Sequence, residues 1–427
     1  MSAQIIDRTA TGFTVQVTVS YNRSMLEFEE TLQQELNAAG VLATEEGLQQ
    51  FDTDGSPITV GSVTFTTKGQ VSKDYQTPYG VATVERHLYQ SPQGGVTYCP
   101  LEREARIILT STPKFAKMVS SKYAAFGSPG VRQDLKDNHG RSASRCLIQD
   151  LSDAVAAVAL AKEEDWSYHL PKLDKPVKTV AMSMDGTSAF LCDDGLRETM
   201  VGTISFYDDE GERQHTIYLA ATPEYGKATF QERLEREVLH VKEKYPDVKC
   251  VGIADGAKCN WEFLERHTQS QVVDFWHAAK YLGEAAAVIY RSQAGMREAW
   301  LETSCHTLKH EPGGAATILK QLKTLAAARP WAKDHEDVQS AITYFENQSK
   351  AGRMDYASHV LRKEPIGSGV TEAACKVIVK QRLCCSGMKW KEKGAAAVLS
   401  LRCLNQTEDR WAQFWGKIDR WGFPVAA

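Results

Sequence analysis

Residues Thr11 to Ser20 alternate, with Phe13, Val15, Val17 and Val19 on one side, which predicts a half-buried strand. Ser24 followed three residues later by Glu27 is a capping box, in which the serine oxygen accepts from free N–H groups of the first helical turn. It predicts a helix with Met25, Phe28, Leu32 and Leu36 on one face. Alternation returns in short runs at Ile58–Phe65, Gly80–Tyr89 and Gly95–Tyr98, so residues 1–110 read as a small α+β region with a possible part in assembly. From Thr112 the period lengthens. Pro113–Phe126, Val131–Asn138 and a long run capped by Ser142 and continuing through Ala161 predict three helices, the last two separated by the turn His139-Gly140. A short helix, a glycine turn and a longer helix make a helix-turn-helix pattern over 111–170. Arg141, Ser144 and Arg145 then stand at the start of the third helix, where such a unit meets base edges of DNA; the alternative is an ordinary three-helix packing unit.

Leu170–Lys178, with two prolines and several lysines, reads as a linker. An α/β rhythm follows. Strands are expected at Thr179–Met184, Thr199–Tyr207 and His215–Thr222, then a helix over Lys227–Tyr245. A strand at Val248–Ala254, a helix at Asn260–His267 and a short strand at Gln271–Val273 complete the run. Three neighbouring strands, a helix and a further strand resemble the ribonuclease H order, a mixed sheet flanked by helices. Residues 278–360 are rich in Ala, Leu, Lys and Glu and read as an all-helical insertion with one break, at Pro312-Gly313-Gly314. Pro365 and Gly367-Ser368-Gly369 then lead into a helix over Val370–Leu383. The expected fold is therefore α/β: a ribonuclease H-like mixed sheet over 175–277 and 361–427, interrupted by the insertion and preceded by the α+β region and the helix-turn-helix.

Composition narrows the class. Apolar residues make up 42% of 427, ordinary for a globular chain of two or three domains. No apolar run approaches the ~18 residues that span a bilayer, and Met1–Tyr21 lacks the apolar core of a signal peptide. The expected setting is the cytoplasm, associated with a bacterial nucleoid and not with a membrane. The ten cysteines are scattered without a C-x-x-C pair, so a structural zinc site is not expected. Net charge is −4, but its distribution matters more. Residues 1–60 hold nine acids and two bases, whereas 361–393 hold eight bases and three acids. A polyanion would meet the second segment.

Two of the expected strands end in Asp-Gly, at Asp185-Gly186 and Asp255-Gly256. Carboxylates at strand ends are rigidly held, and a neighbouring glycine lets a ligand approach the backbone. Glu372 lies 117 residues after Asp255, in the basic segment and three residues after Gly367-Ser368-Gly369. Hard divalent cations take oxygen ligands, and three carboxylates can hold two of them roughly 3.5–4 Å apart for phosphodiester chemistry. Asp-Gly is also a common turn. A rival assignment uses the same pairs: Ser183-Met184-Asp185-Gly186-Thr187 partly matches the Asp-x-Asp-Gly-Thr motif of haloacid-dehalogenase-like phosphatases, and Asp255-Gly256 with Asn260 their later motif. Ser183 falls where that family needs its nucleophilic Asp and cannot form an aspartyl-phosphate.

Asp185, Asp255-Gly256-Ala257-Lys258, Asp274-Phe275-Trp276-His277 and Glu364-Pro365-Ile366-Gly367-Ser368-Gly369-Val370-Thr371-Glu372-Ala373 resemble the insertion-sequence DDE transposases of the ISKra type, relatives of the Mutator-like superfamily. Lys380-Gln381-Arg382-Leu383 and Ser386-Gly387-Met388-Lys389-Trp390 extend the likeness, which covers about 175–415. The resemblance implies a ribonuclease H-like domain with Asp185, Asp255 and Glu372 as ligands of two Mg²⁺ or Mn²⁺ ions. It implies DNA partners (element terminal inverted repeats and target DNA) and a homo-oligomer in the synaptic complex. His277 would contact the scissile phosphate or orient a ligand, or else simply pack against the sheet. Asp274 would orient His277 or cap its helix, and Trp276 is expected in the core. Lys376 and Lys380 follow Glu372 at helical spacing and would meet phosphates, with Arg382 and Lys389 as further contacts. Trp390 would stack on an unpaired base or anchor the core. The paired N-terminal cysteines of such relatives are represented here only by Cys99, so a zinc-bound N-terminal module is not expected. A catalytically silent DNA-binding protein derived from a transposase is the remaining alternative.

Overall fold

A computed structural model describes residues 3–163, 165–223, 227–255 and 257–423. The chain divides into two units: 1–168 with Ser400–Asn405 and 410–427, and His169–Leu399 with Gln406–Asp409.

The first unit opens with a hairpin, β1 (Ala3–Thr9) against β2 (Gly12–Val17). The sequence pattern predicted only the second strand. Ser24 does cap α1 (Met25–Gln49), its Oγ accepting from Glu27 N at 3.1 Å. The apolar face expected on α1 is not core: Met25 is 66% and Leu36 53% exposed. An antiparallel sheet follows, in order β3 (Ile58–Val60), β4 (Val63–Gln76), β5 (Val81–Ser91) and β6 (Gly94–Tyr98). The run expected as one strand over Ile58–Phe65 is two, because Gly61 at φ +62° turns the chain between them. After α2 (Pro100–Glu104) come α3 (Pro113–Ala125), α4 (Ser128–His139) and α5 (Arg145–Lys162). Phe115, Val119, Val131, Leu135, Ile148, Leu151 and Val155 from these three helices are buried. The cap of α5 is Ser144, not Ser142.

The second unit is built on a five-stranded sheet. Its strands are β7 (Thr179–Leu191), β8 (Gly195–Tyr207), β9 (Arg213–Ala221), β10 (Lys249–Ala254) and β11 (Ser270–Val273), in spatial order β11-β10-β7-β8-β9. The first three are antiparallel neighbours, while β10 runs parallel to β7 and β11 parallel to β10. Each parallel step needs a crossover, and helices supply them: α6 (Ala228–Lys244) precedes β10 and α7 (Lys258–His267) precedes β11. The four buried residues of α6, Phe230, Leu234, Val238 and Val241, fall at intervals of three or four, one face of a helix. Gly202 on β8 admits that face, since a Cβ there would stand 3.1 Å from Phe230 and 3.3 Å from Leu234.

Six helices follow: α8 (Phe275–Tyr290), α9 (Ala294–His310), α10 (Gly314–Ala327), α11 (Pro330–Lys333), α12 (Glu336–Lys350) and α13 (Tyr356–Leu361). The predicted break at Pro312-Gly313-Gly314 separates α9 from α10, with Gly313 at φ +71°. It is not the only one. Pro330 starts a new short helix, and Arg291, at φ +39°, ends α8. Residues 369–383 form α14 (Gly369–Ala374), a π-helical segment (Cys375–Lys380) and α15 (Gln381–Leu383). The last helices are α16 (Glu392–Gln406) and α17 (Arg410–Trp421). The latter lies in the first unit, whereas the sequence reading grouped all of 361–427 with the sheet. Among the described residues no helix is long and apolar enough to cross a membrane.

Candidate active site

Parallel pairing of β7 with β10 runs as far as Ser183 opposite Ile253, whereas antiparallel pairing with β8 continues through Asp185 opposite Val201 to Leu191 opposite Gly195. Asp185 is therefore inside a long strand and not at its end, as the sequence suggested. The shorter β10 stops at Ala254, so one side of β7 loses its backbone neighbour just where the carboxylate stands. Asp255 comes directly after β10, and its Oδ1 accepts from Ala257 N at 3.3 Å. Gly256, half of the second Asp-Gly pair, lies outside the described residues. Asn260, at the start of α7, donates through Nδ2 to Met184 O at 3.2 Å and so fixes the residue before Asp185. Ser183 is buried in β7.

Glu372 occupies the first turn of α14. Ser368 stands immediately before that helix, with its Oγ 2.9 Å from Asp274 Oδ2 and 3.3 Å from Glu372 Oε1. Asp274 is fully buried and makes three bonds. Its Oδ1 accepts from His277 N at 2.7 Å, capping α8, and its Oδ2 accepts from both the amide and the hydroxyl of Ser368. Of the two roles open to Asp274, it performs the cap, and it also holds the segment that presents Glu372. Thr371 and Thr203 share a buried hydroxyl contact of 2.6 Å that docks α14 on β8.

The electrostatics join the three acids. Burial is the largest cause holding the Asp185 carboxyl above the usual Asp range; the Gly186 amide opposes it, and the charges of Asp255 and Glu372 raise it further. The Cys375 thiol donates to Asp185 Oδ2 at 3.7 Å, and burial together with that carboxylate pushes it up to about 12. A cleft of about 650 Å³ opens here, lined by Asp185, Glu372, Cys375, Lys376, Lys380 and Gln381 among others. Among the described residues, no three His, Cys, Asp or Glu side chains stand close enough to hold one ion as they are.

The remaining sequence candidates divide sharply. Lys376, Lys380 and Lys389 are exposed, the first two in the cleft wall. Arg382 is only 2% exposed, with its guanidinium 4.9 Å from the Trp390 ring centroid. Buried under an aromatic ring, it is not a DNA contact. Trp390 takes the anchoring alternative: its Nε1 donates to Leu383 O at 3.1 Å and its carbonyl accepts from Cys192 N at 2.8 Å. Trp276 is 71% exposed and not in the core, because the first turn of α8 turns Phe275 inward instead. His277 is half-buried against two tyrosines, 5.5 Å from Tyr281 and 6.0 Å from Tyr344 between ring centroids.

Arg141 is also a correction. It is buried, donating through Nε to Thr77 O at 3.1 Å and through Nη2 to Gln76 Oε1 at 3.0 Å, over the Phe115 ring. It locks the turn before α5 and offers nothing to a base edge. Ser144 spends its oxygen on the cap, accepting from Leu147 N at 3.1 Å, and only Arg145 of the three is an exposed cation.

Sequence reasoning gave no role to Ser368, Thr371, Cys375 or Tyr344, and it gave Asn260 one only in the rival phosphatase motif. Ser368 lay inside the Gly-Ser-Gly motif, Thr371 stands directly before Glu372, and Cys375 lies one helical turn beyond Glu372. Tyr344, which donates its hydroxyl to Asp255 O at 3.1 Å, had no local signal at all. No protein-family model matches the chain, and comparison with curated proteins finds no match.

Proposed function

We propose that the chain is a DNA transposase that cuts and joins DNA strands at insertion-sequence ends, with a DDE site formed by Asp185, Asp255 and Glu372. One observation carries the reading above the others. The charges of Asp255 and Glu372 add to burial in raising the Asp185 carboxyl, and Asp185 and Glu372 line a cleft whose wall holds Lys376 and Lys380. A mixed five-stranded sheet with helical crossovers is compatible with this reading, in which the helical residues 278–360 are an insertion before Glu372.

The donor set fits a hard divalent cation. All three groups offer carboxylate oxygens, and a bound positive charge would offset both the burial that chiefly raises Asp185 and the added repulsion of Asp255 and Glu372. Mg²⁺ or Mn²⁺ held by Asp185, Asp255 and Glu372, two ions in the full site, would supply the charge that stabilises the attacking and leaving oxygens of a phosphodiester. The chain's own side chains do the rest. Lys376 and Lys380 hold the backbone phosphates of a strand lying in the cleft. Asp274, acting through Ser368, keeps Glu372 facing Asp185. DNA ends and target DNA are the partners, and joining two ends calls for more than one copy of the chain.

The test is strand cleavage of a labelled duplex carrying the element end, with Mg²⁺ or Mn²⁺ against EDTA. Metal-dependent nicking at the end is expected, falling at least about 100-fold in Glu372→Gln. Folded protein that binds the duplex without nicking it would replace this reading with that of a silent DNA-binding relative.

A further inference from the structure

Asp255 sits where regular structure stops. β10 ends at Ala254, and among the described residues the Asp255 carboxylate has one rather long bond to its own turn, from Ala257 N at 3.3 Å. What fixes the direction of this residue is its main chain, and two successive carbonyls are tied from outside. Ala254 O accepts from Asp274 N at 2.9 Å. Asp255 O accepts from the Tyr344 hydroxyl at 3.1 Å. The first tie belongs to the sheet. The second comes from α12, 89 residues away, in the helical insertion.

Tyr344 is itself held in place. Its ring stacks on Tyr281 of α8, with centroids 4.2 Å apart and planes 19° apart, and His277 packs against both rings. A stacked ring with one rotatable hydroxyl is a stiff support, whereas a free carbonyl at the end of a strand can rotate with its peptide plane. Rotation of the peptide that carries the Asp255 carbonyl would move Ala257 N, the donor that holds the Asp255 carboxylate, and so free that carboxylate to turn from its place.

We infer that Tyr344 is a positioning residue for Asp255, so that the helical insertion forms part of the carboxylate site. This rests on Asp255 being an ion ligand, as proposed above. The insertion then has a task beyond filling space, because α12, stacked on α8 through Tyr344 and Tyr281, carries the hydroxyl that ties Asp255. Anything that shifts α12 changes the aim of Asp255.

Two readouts on the full chain separate this inference from the reading beneath it. Hydrogen exchange of the peptide covering 251–261 needs no ion. Mn²⁺ titration followed by the free-ion electron paramagnetic resonance signal reports on the site itself. In Tyr344→Phe, which keeps the ring stack, exchange in that peptide should rise, and Mn²⁺ affinity should fall about threefold to tenfold, the factor one neutral hydrogen bond commands. The thermal midpoint should stay within about 5 °C, since one such bond is a small part of the fold. Tyr281→Phe, whose ring is kept and whose hydroxyl is not bonded to Asp255, should leave both readouts unchanged. Faster exchange in Tyr344→Phe with no Mn²⁺ binding by the wild-type chain would uphold the positioning role and remove the metal site. Unchanged exchange in Tyr344→Phe would overturn the positioning role, whatever the ion does.

Discussion

Asp185 is charged against two opposing influences, its burial in β7 and the nearby charges of Asp255 and Glu372. Its folded pKa therefore lies above the unfolded value of about 3.9. A carboxyl raised in this way favours the folded state below the unfolded pKa, and that contribution is lost as pH rises through the folded pKa. Asp185→Asn is neutral at every pH, so in EDTA it should melt above wild type near pH 7, by roughly 2–4 °C for each kcal/mol of relieved repulsion. The two curves should converge near pH 3. Melting curves of both proteins across that range check the sign, and a wild type that melts higher near pH 7 would remove the repulsion argument. The acids of the candidate site could be picked from the sequence because Asp185 and Asp255 each follow an apolar strand pattern and Glu372 comes shortly after Gly-Ser-Gly. Its cations were harder to pick. Arg141, Arg382 and Lys380 look alike in a sequence, yet the first two are buried by contacts with Thr77 and with Trp390 that no local pattern announces. A charge can be seen along a chain, but the neighbour that covers it cannot.

The segment from Gly369 to Leu383 shows what a single element adds. Four-residue spacing from Glu372 was enough to predict that Lys376 and Lys380 share its face, and both line the cleft. A plain α-helix does not account for Cys375 with Lys380, or Lys376 with Gln381, pairs five residues apart in the same wall. The π-helical stretch over Cys375–Lys380 does, because its wider turn repeats near five residues. Such stretches have no simple sequence signature, so this part of the site was not legible. The face makes a quantitative prediction. Lys376→Ala and Lys380→Ala should each weaken duplex binding and reduce the slope of log K against log salt by about 0.9. Arg382→Ala should leave the slope unchanged and instead cost about 2–4 kcal/mol in urea unfolding, since it removes a buried cation from an aromatic contact. Filter-binding titrations at several salt concentrations, paired with urea curves, separate the two. A full-slope loss in Arg382→Ala would return it to the DNA-contacting face.

At the scale of the whole chain, the ends of the sequence belong together. The chain leaves the second unit at Ser400, partway along α16, and α17 completes the first unit. Phe414, Trp415 and Ile418 on α17 are buried, with Trp166 5.8 Å from Phe414 and Arg410 5.2 Å over the Tyr168 ring. Asn405 Nδ2 donates to Ser121 Oγ at 2.9 Å, and Arg106 Nε donates to Asp419 O at 3.0 Å. The sequence reading placed 361–427 with the sheet because the family resemblance, which runs to about residue 415, implied one interrupted domain. An amphipathic period shows which face of a helix is apolar and says nothing of what meets it. These contacts make the first unit, not the sheet, depend on the C-terminus. A chain ending after Asp409 leaves three large side chains' partners uncovered, at about 1.5–3 kcal/mol each, on the order of 5 kcal/mol in all. Hydrogen exchange should then accelerate across 113–162, while 179–207 and 249–254, whose sheet lies wholly in the second unit, keep their wild-type protection. The opposite pattern, with strands β7 and β10 opening and α3–α5 unaffected, would return the C-terminal helix to the domain that holds the acids.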